Sequence, residues 1–81
     1  MWCAYALQSK KDGWLYIGIS SDVKKRLEQH NRGYSRSTRS RVPFELFYVE
    51  ECGSRVIARK WEKYLKSGNG REFLRAQLKS K

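Results

Sequence analysis

The stretch from Trp14 to His30, Trp14-Leu15-Tyr16-Ile17-Gly18-Ile19-Ser20-Ser21-Asp22-Val23-Lys24-Lys25-Arg26-Leu27-Glu28-Gln29-His30, constrains the fold most, because a strand runs there straight into a helix. Its first part is apolar, aromatic and β-branched, which suits a half-buried pleated surface. Ser20, Ser21 and Asp22 then offer side-chain oxygens for the unpaired N–H groups of a helix start. In the helix that follows, about Asp22 to Asn31, Val23 and Leu27 form the apolar stripe. Arg26 and His30 are four residues apart and share one face beside it. Tyr16, Arg26 and His30 are therefore expected to meet where strand and helix join.

The rest of the chain arranges itself around that unit. Trp2 to Leu7 reads as a first strand, with Cys3, Tyr5 and Leu7 on one face and Trp2, Ala4 and Ala6 on the other. Asp12-Gly13 supplies a turn with a positive-φ glycine, so the first two strands form a hairpin. In the second strand, Trp14 to Ile19, Trp14, Tyr16 and Gly18 share a face opposite Leu15, Ile17 and Ile19. Gly33 stops the first helix. Gly33 to Val42 has little apolar content and no periodicity, and reads as a loop. Phe44 to Glu50 is a third strand, with Phe44, Leu46 and Tyr48 alternating against Glu45, Phe47 and Val49. Ser54 is the expected N-cap of a second helix with Ile57, Ala58, Trp61 and Leu65 as its apolar stripe. Gly68-Asn69-Gly70 is expected to end that helix through a left-handed glycine. Glu72 to Leu78 is a short third helix with Phe73, Leu74 and Leu78 inward. The order β-β-α-β-α-α implies an α+β fold, a three-stranded, mainly antiparallel sheet flanked by helices.

A chain of 81 residues supports one small core, and its three Trp, five Tyr and three Phe help to fill it. The net charge of +10 favours a polyanionic partner, nucleic acid before an anionic membrane surface. Cys3 and Cys52 are far apart and read as free thiols. With one histidine and no CxxC pattern, a zinc site is not expected. No basic leader followed by an apolar core and no bilayer-length apolar run is present, so the expected location is cytoplasmic.

Several side chains suit phosphate chemistry, each with a plainer reading beside it. Glu62 flanks the buried stripe of the second helix among Arg59, Lys60, Lys63 and Lys66. It suits either a hydrated Mg²⁺, which needs few protein oxygens, or an ion pair with Lys66. Tyr5 and Tyr16 lie on neighbouring strands. Either they are core residues with hydroxyls at the rim, or they relay protons once cations, Arg26 among them, depress the phenol pKa. Arg26 suits a bidentate clamp on a phosphate or a solvated surface position. His30 is a proton donor, a phosphate contact or a helix-end residue answering the dipole. Arg32, Arg36, Arg39 and Arg41, interleaved with Tyr34, Ser35, Ser37, Thr38 and Ser40, can follow a nucleic-acid backbone without reading bases, or form a solvated charge run. Arg59 and Lys63 extend the candidate nucleic-acid surface to the second helix.

Taken together, these segments resemble the GIY-YIG nuclease family. The second half of the signature stands as Tyr16-Ile17-Gly18. The first half, Cys3-Ala4-Tyr5, keeps only the tyrosine. The segment Asp22 to Asn31 resembles the arginine-bearing helix of the family, and Ala58 to Lys66 its glutamate-bearing helix. Lys66 to Leu74 is similar to the ending of small stand-alone bacterial members, and the whole is similar to the nuclease domain that opens the excinuclease members of the family. The resemblance covers nearly the whole chain, 1–81, as a single nuclease domain. It implies a phosphodiesterase acting on DNA with one divalent ion, Mg²⁺ or Mn²⁺, and no organic cofactor. On the same ground Glu62 would hold the metal, Tyr5 would help activate the water and Tyr16 would assist it. Arg26 would stabilise the transition state, His30 would support the proton relay and Gly18 would let the strand pack near the site. Asn69 either matches an asparagine that many members carry or belongs to a turn.

Two functions are consistent with these features. One is a small metal-dependent DNA endonuclease, acting on structured DNA in repair or recombination. The other is a basic nucleic-acid-binding module that keeps the nuclease fold without useful catalysis.

Overall fold

The computed structural model describes residues 1–79. The strands are β1 (Trp2–Ser9), β2 (Leu15–Ser20) and β3 (Phe44–Cys52). The helices are α1 (Val23–Asn31), α2 (Arg55–Lys66) and α3 (Gly68–Lys79), with a 3-10 turn at Arg39–Arg41. The sheet order is β2-β1-β3 and both pairings are antiparallel. The chain thus has the expected α+β order, with β1 in the centre.

The alternation read from β1 and β2 sorts side chains to the two faces. Ala4, Ala6 and Ile17 join Phe47, Leu65 and Leu74 in one core, under α2 and α3. Tyr5, Leu7 and Phe44 form the other, with Tyr16, Val23, Leu27 and Leu46 packed against it, under α1. The hairpin is closed by Gly13 at φ 79°, with its N–H on the Ser9 carbonyl at 2.9 Å. Asp22 caps α1 by accepting from the Lys25 N–H at 3.1 Å, and Ser54 caps α2 by accepting from the Ile57 N–H at 3.3 Å. Gly33, at φ 80°, ends α1 as expected. Both cysteines are free.

The structure corrects the expected pattern in four places. In β3, Ala6 pairs with Tyr48 but Leu7 pairs with Leu46, so a bulge leaves Phe47 as the extra residue. Simple alternation therefore fails: Tyr48 leaves the Phe44 and Leu46 face and packs with Phe47 against the α2–α3 core. The strand also runs on to Cys52.

The glycines at 68 and 70 do not end α2 in a left-handed turn. Ser67 ends it, in extended backbone at φ −75° and ψ 168°. The Ser67 hydroxyl and carbonyl then accept from Gly70 and Arg71, so the same residue starts α3. Gly68-Asn69-Gly70 is the first turn of a third helix longer than Glu72 to Leu78. Gly70 is needed for close approach: a Cβ there would lie 2.5 Å from the Leu65 Cα and collide with the Tyr64 carbonyl.

Ile57 does not complete the α2 stripe and is 45% exposed, whereas Ala58 and Leu65 are fully buried. The segment 33–42 is more than an open loop: Arg39–Arg41 forms the 3-10 turn, and Thr38 beside it is fully buried.

Candidate active site

The α1 face of the sheet gathers four of the five expected catalytic side chains. β1 supplies Tyr5 and β2 supplies Tyr16, their ring centroids 6.4 Å apart. α1 supplies Arg26 and His30 one turn apart. His30 is fully buried, its ring centroid 4.6 Å from that of Tyr16. Its Nε2 lies 3.4 Å from the Tyr5 hydroxyl, and its Nδ1 lies 2.9 Å from the Thr38 hydroxyl. Arg26 is held by a 3.0 Å hydrogen bond from its guanidinium to the Gln29 side-chain oxygen.

Gly18 pairs directly with Tyr5 across the hairpin. A Cβ at Gly18 would stand 2.8 Å from the Tyr5 hydroxyl and 3.2 Å from a Tyr16 ring carbon. The missing side chain is therefore the space in which the Tyr5 phenol sits, which gives the structural role expected for this glycine a steric cause.

The electrostatics of the two central groups differ from a simple cationic site. Burial raises the Tyr5 pKa above the ordinary phenol value. Arg26 opposes that by hydrogen bonding and by charge, while Tyr16 and Glu62 add to the rise. The expected depression by Arg26 is thus present but outweighed, and Tyr5 rests as a neutral phenol. Burial, then the Arg26 charge, lowers the His30 pKa, so the imidazole favours its neutral form, in which one ring nitrogen is a hydrogen-bond acceptor.

Glu62 comes from α2, the helix on the other face of the sheet. Its side chain is only 13% exposed, and its charge reaches Tyr5. Its two oxygens lie 3.4 Å from Arg59 and 3.4 Å from Lys66. The ion pair with Lys66 therefore forms, but loosely, through cationic ends that are about half exposed. Among the described residues no group of three or more His, Cys, Asp or Glu gathers. A lone carboxylate with weakly held oxygens fits a hydrated Mg²⁺, which keeps most of its own waters.

The expected nucleic-acid residues fall into two sets. Arg32, Arg36, Arg39, Arg59 and Lys63 are exposed. Arg41 is committed elsewhere: it pairs with Asp12, and its guanidinium lies 4.6 Å from the Trp14 ring centroid. Arg59 is exposed but also answers Glu62. Asn69 sits exposed in the first turn of α3.

Three contributors were not singled out from sequence. Thr38 looked like one more polar loop residue. Gln29 lies three residues beyond Arg26, a helical-neighbour spacing that could have flagged it. Asn31 ties α1 to β3, donating to the Phe44 carbonyl at 3.1 Å and accepting from the Phe44 N–H at 2.6 Å.

The central tyrosine strand, the Arg–His helix and the glutamate-bearing helix on a small antiparallel sheet stand in the order that the resemblance to the nuclease family implied. A family model described as the GIY-YIG catalytic domain matches residues 1–75, and the chain belongs to that family. Its relatives are small UPF0213 proteins. The one from Sodalis glossinidius is 36% identical over 63 residues, 76% of this chain and 58% of that protein. The one from Streptococcus agalactiae is 43% identical over 56 residues, 68% of this chain and 64% of that protein. The matched part thus spans about three fifths of the relatives' length. The solution NMR structure of the UPF0213 protein BH0048 from Bacillus halodurans superposes with a TM-score of 0.55 at 34% identity, covering 94% of this chain and 84% of that one. The family description is that of a catalytic domain. No helix among the described residues is long and apolar enough to cross a membrane.

Proposed function

We propose that this chain is a divalent-metal-dependent DNA endonuclease, working as a single nuclease domain over residues 1–81 in the cytoplasm. The observation that carries this reading is the buried contact between Tyr5 and His30, 3.4 Å apart, with Arg26 beside it. A neutral imidazole facing a neutral phenol is a proton path: the Tyr5 hydroxyl donates toward His30 Nε2 as it takes a proton from a water attacking phosphorus. Tyr16 walls this path against the imidazole and positions the water. Arg26 is the group suited to the charge that grows on the phosphate oxygens. Glu62 would hold the Mg²⁺ or Mn²⁺, which when bound supplies Lewis-acid polarisation of the phosphate. Exposed Arg32, Arg36, Arg39 and Lys63 would track the DNA backbone, with affinity that falls steeply with salt and reads little base sequence. Structured DNA, of the kind met in repair and recombination, is the substrate class we assign.

Two observations favour a second reading. Glu62 is already paired with Arg59 and Lys66, and burial leaves Tyr5 reluctant to ionise. Both suit a basic binding module without turnover. Wild type and Glu62→Ala, incubated with branched, flapped and plain duplex DNA in Mg²⁺, Mn²⁺ or chelator, separate the two. The nuclease reading expects metal-dependent cleavage that drops about a hundredfold or more in Glu62→Ala, with DNA binding retained. Salt-sensitive binding without cleavage, across all metals and substrates, would establish the module instead.

A further inference from the structure

Thr38 lies between Arg36 and Arg39, in a run of arginines and serines that should be wet, yet it is fully buried while both arginines are exposed. Its hydroxyl sits 2.9 Å from His30 Nδ1. Its other contact is the Ser35 carbonyl, at 3.5 Å. A hydroxyl has one proton to give, and a carbonyl can only accept. With that proton directed at Ser35, the oxygen is left to accept from Nδ1–H. The other ring nitrogen then keeps its lone pair, and this nitrogen is the one facing the Tyr5 hydroxyl at 3.4 Å.

The remaining neighbours of the imidazole leave this bond as the orienting one. Tyr16 lies 4.6 Å away and Phe44 6.2 Å away by ring centroid, and the charge acting on the ring is that of Arg26. These are ring contacts and a field; neither chooses a tautomer. The opposite tautomer would turn the Thr38 proton to Nδ1 and give up the hydroxyl's contact with the Ser35 carbonyl, which also accepts from the Thr38 and Arg39 N–H groups at 3.2 and 3.0 Å.

We propose that Thr38 is a positioning residue of the site: its hydroxyl holds His30 in the Nδ1–H tautomer, with the Nε2 lone pair on Tyr5, and hangs that arrangement on the arginine-bearing segment. This rests on the reading of Tyr5 and His30 as a proton path. It also makes the DNA-contacting segment a structural part of the chemistry. Arg36 and Arg39 flank the residue that sets the imidazole, so where they sit and how His30 is oriented are not independent.

The chain has one histidine, so a protein labelled with ¹⁵N at the imidazole nitrogens reports on His30 alone. Long-range ¹H–¹⁵N correlation above the imidazole titration range distinguishes the two tautomers. Wild type and Thr38→Ser should show a protonated Nδ1 and an unprotonated Nε2, and Thr38→Val should lose that preference. In cleavage assays Thr38→Val should fall about tenfold to a hundredfold and Thr38→Ser should recover most of the loss, the range seen for partners that orient functional groups. An Nε2–H tautomer in wild type, or an unchanged Nδ1–H tautomer in Thr38→Val, would overturn the assignment. If Thr38→Val does not fold, the wild-type spectrum still decides. The NMR result stands apart from cleavage: a protein that never cuts DNA would sink the nuclease reading while leaving the Thr38 assignment to be judged on its spectrum.

Discussion

Under α2 and α3 the sheet buries Ala4, Ala6, Ile17, Phe47, Leu65 and Leu74, all of them hydrocarbon. Under α1 it buries Tyr5, Leu7 and Phe44 beside His30 and Thr38, so two polar side chains are wired into that layer by hydrogen bonds. The first layer is stabilised by area removed from water and tolerates any arrangement that fills its volume. The second depends on direction, because each buried polar group must keep its partner. The second brings the Tyr5 hydroxyl within 3.4 Å of the His30 imidazole. The contrast teaches where a domain this small keeps its buried hydrocarbon and where it keeps its buried polar contacts: on opposite sides of three strands.

The contrast makes measurable demands. Leu65→Ala, in the apolar layer, should show the largest stability effect, a loss of about 2–5 kcal/mol, because it opens a cavity at a fully buried position. Urea denaturation measures the loss, and cleavage per folded molecule should stay near wild type. Loss of cleavage in protein shown to be folded would break the division between the layers.

Gly18→Ala should cost less stability, about 1–3 kcal/mol, by pushing the Tyr5 phenol from its place. Its effect on cleavage should be greater than that of Leu65→Ala. A Gly18→Ala protein that cuts DNA at the wild-type rate would show that Tyr5 need not sit where the structure puts it.

The smallest effect is a pH slope from His30. Its folded pKa lies below the ordinary imidazole value, chiefly through burial. As pH falls through about 6.5 the unfolded chain takes up a proton that the folded chain refuses. The stability from this group is thus complete above that pH and is lost as pH falls toward the folded pKa, at no more than about 1.4 kcal/mol per pH unit. Urea midpoints between pH 8 and pH 5 should fall in wild type, and the part of the slope due to His30 should vanish in His30→Gln. Parallel slopes would mean that the imidazole is not held neutral.

Much of this arrangement was legible in the residues. Alternation put Tyr5 with Leu7 and Tyr16 with Gly18, and the four-residue spacing of Arg26 and His30 gave them one helix face near Tyr16; the pairing of Leu7 with Tyr16 is what brings both tyrosines to the same side. Where legibility failed, a residue had more than one physical reason to be where it is. Phe47 and Tyr48 are both apolar enough for either face, so nothing local announced the bulge that turns Tyr48 over. Gly70 looked like a residue chosen for backbone freedom, whereas it is there because Tyr64 and Leu65 leave no room for a Cβ. Thr38 carried no sign of burial, since its partner lies eight residues back on a helix. The Tyr5 pKa could not be read because desolvation, a property of the packed state, outweighs the nearby arginine.

Asn31 has a consequence beyond holding α1 in place. In the order β2-β1-β3, β3 is an outer strand, and an outer strand offers a row of open donors and acceptors to any passing chain. The Asn31 amide takes both the N–H and the carbonyl of Phe44, where that row begins. Further along, Glu45, Glu50 and Glu51 put negative charge on the same strand. A foreign strand trying to zip onto this edge would find its first rung already taken by the Asn31 amide, so the side chain that holds the helix also closes the start of the open edge.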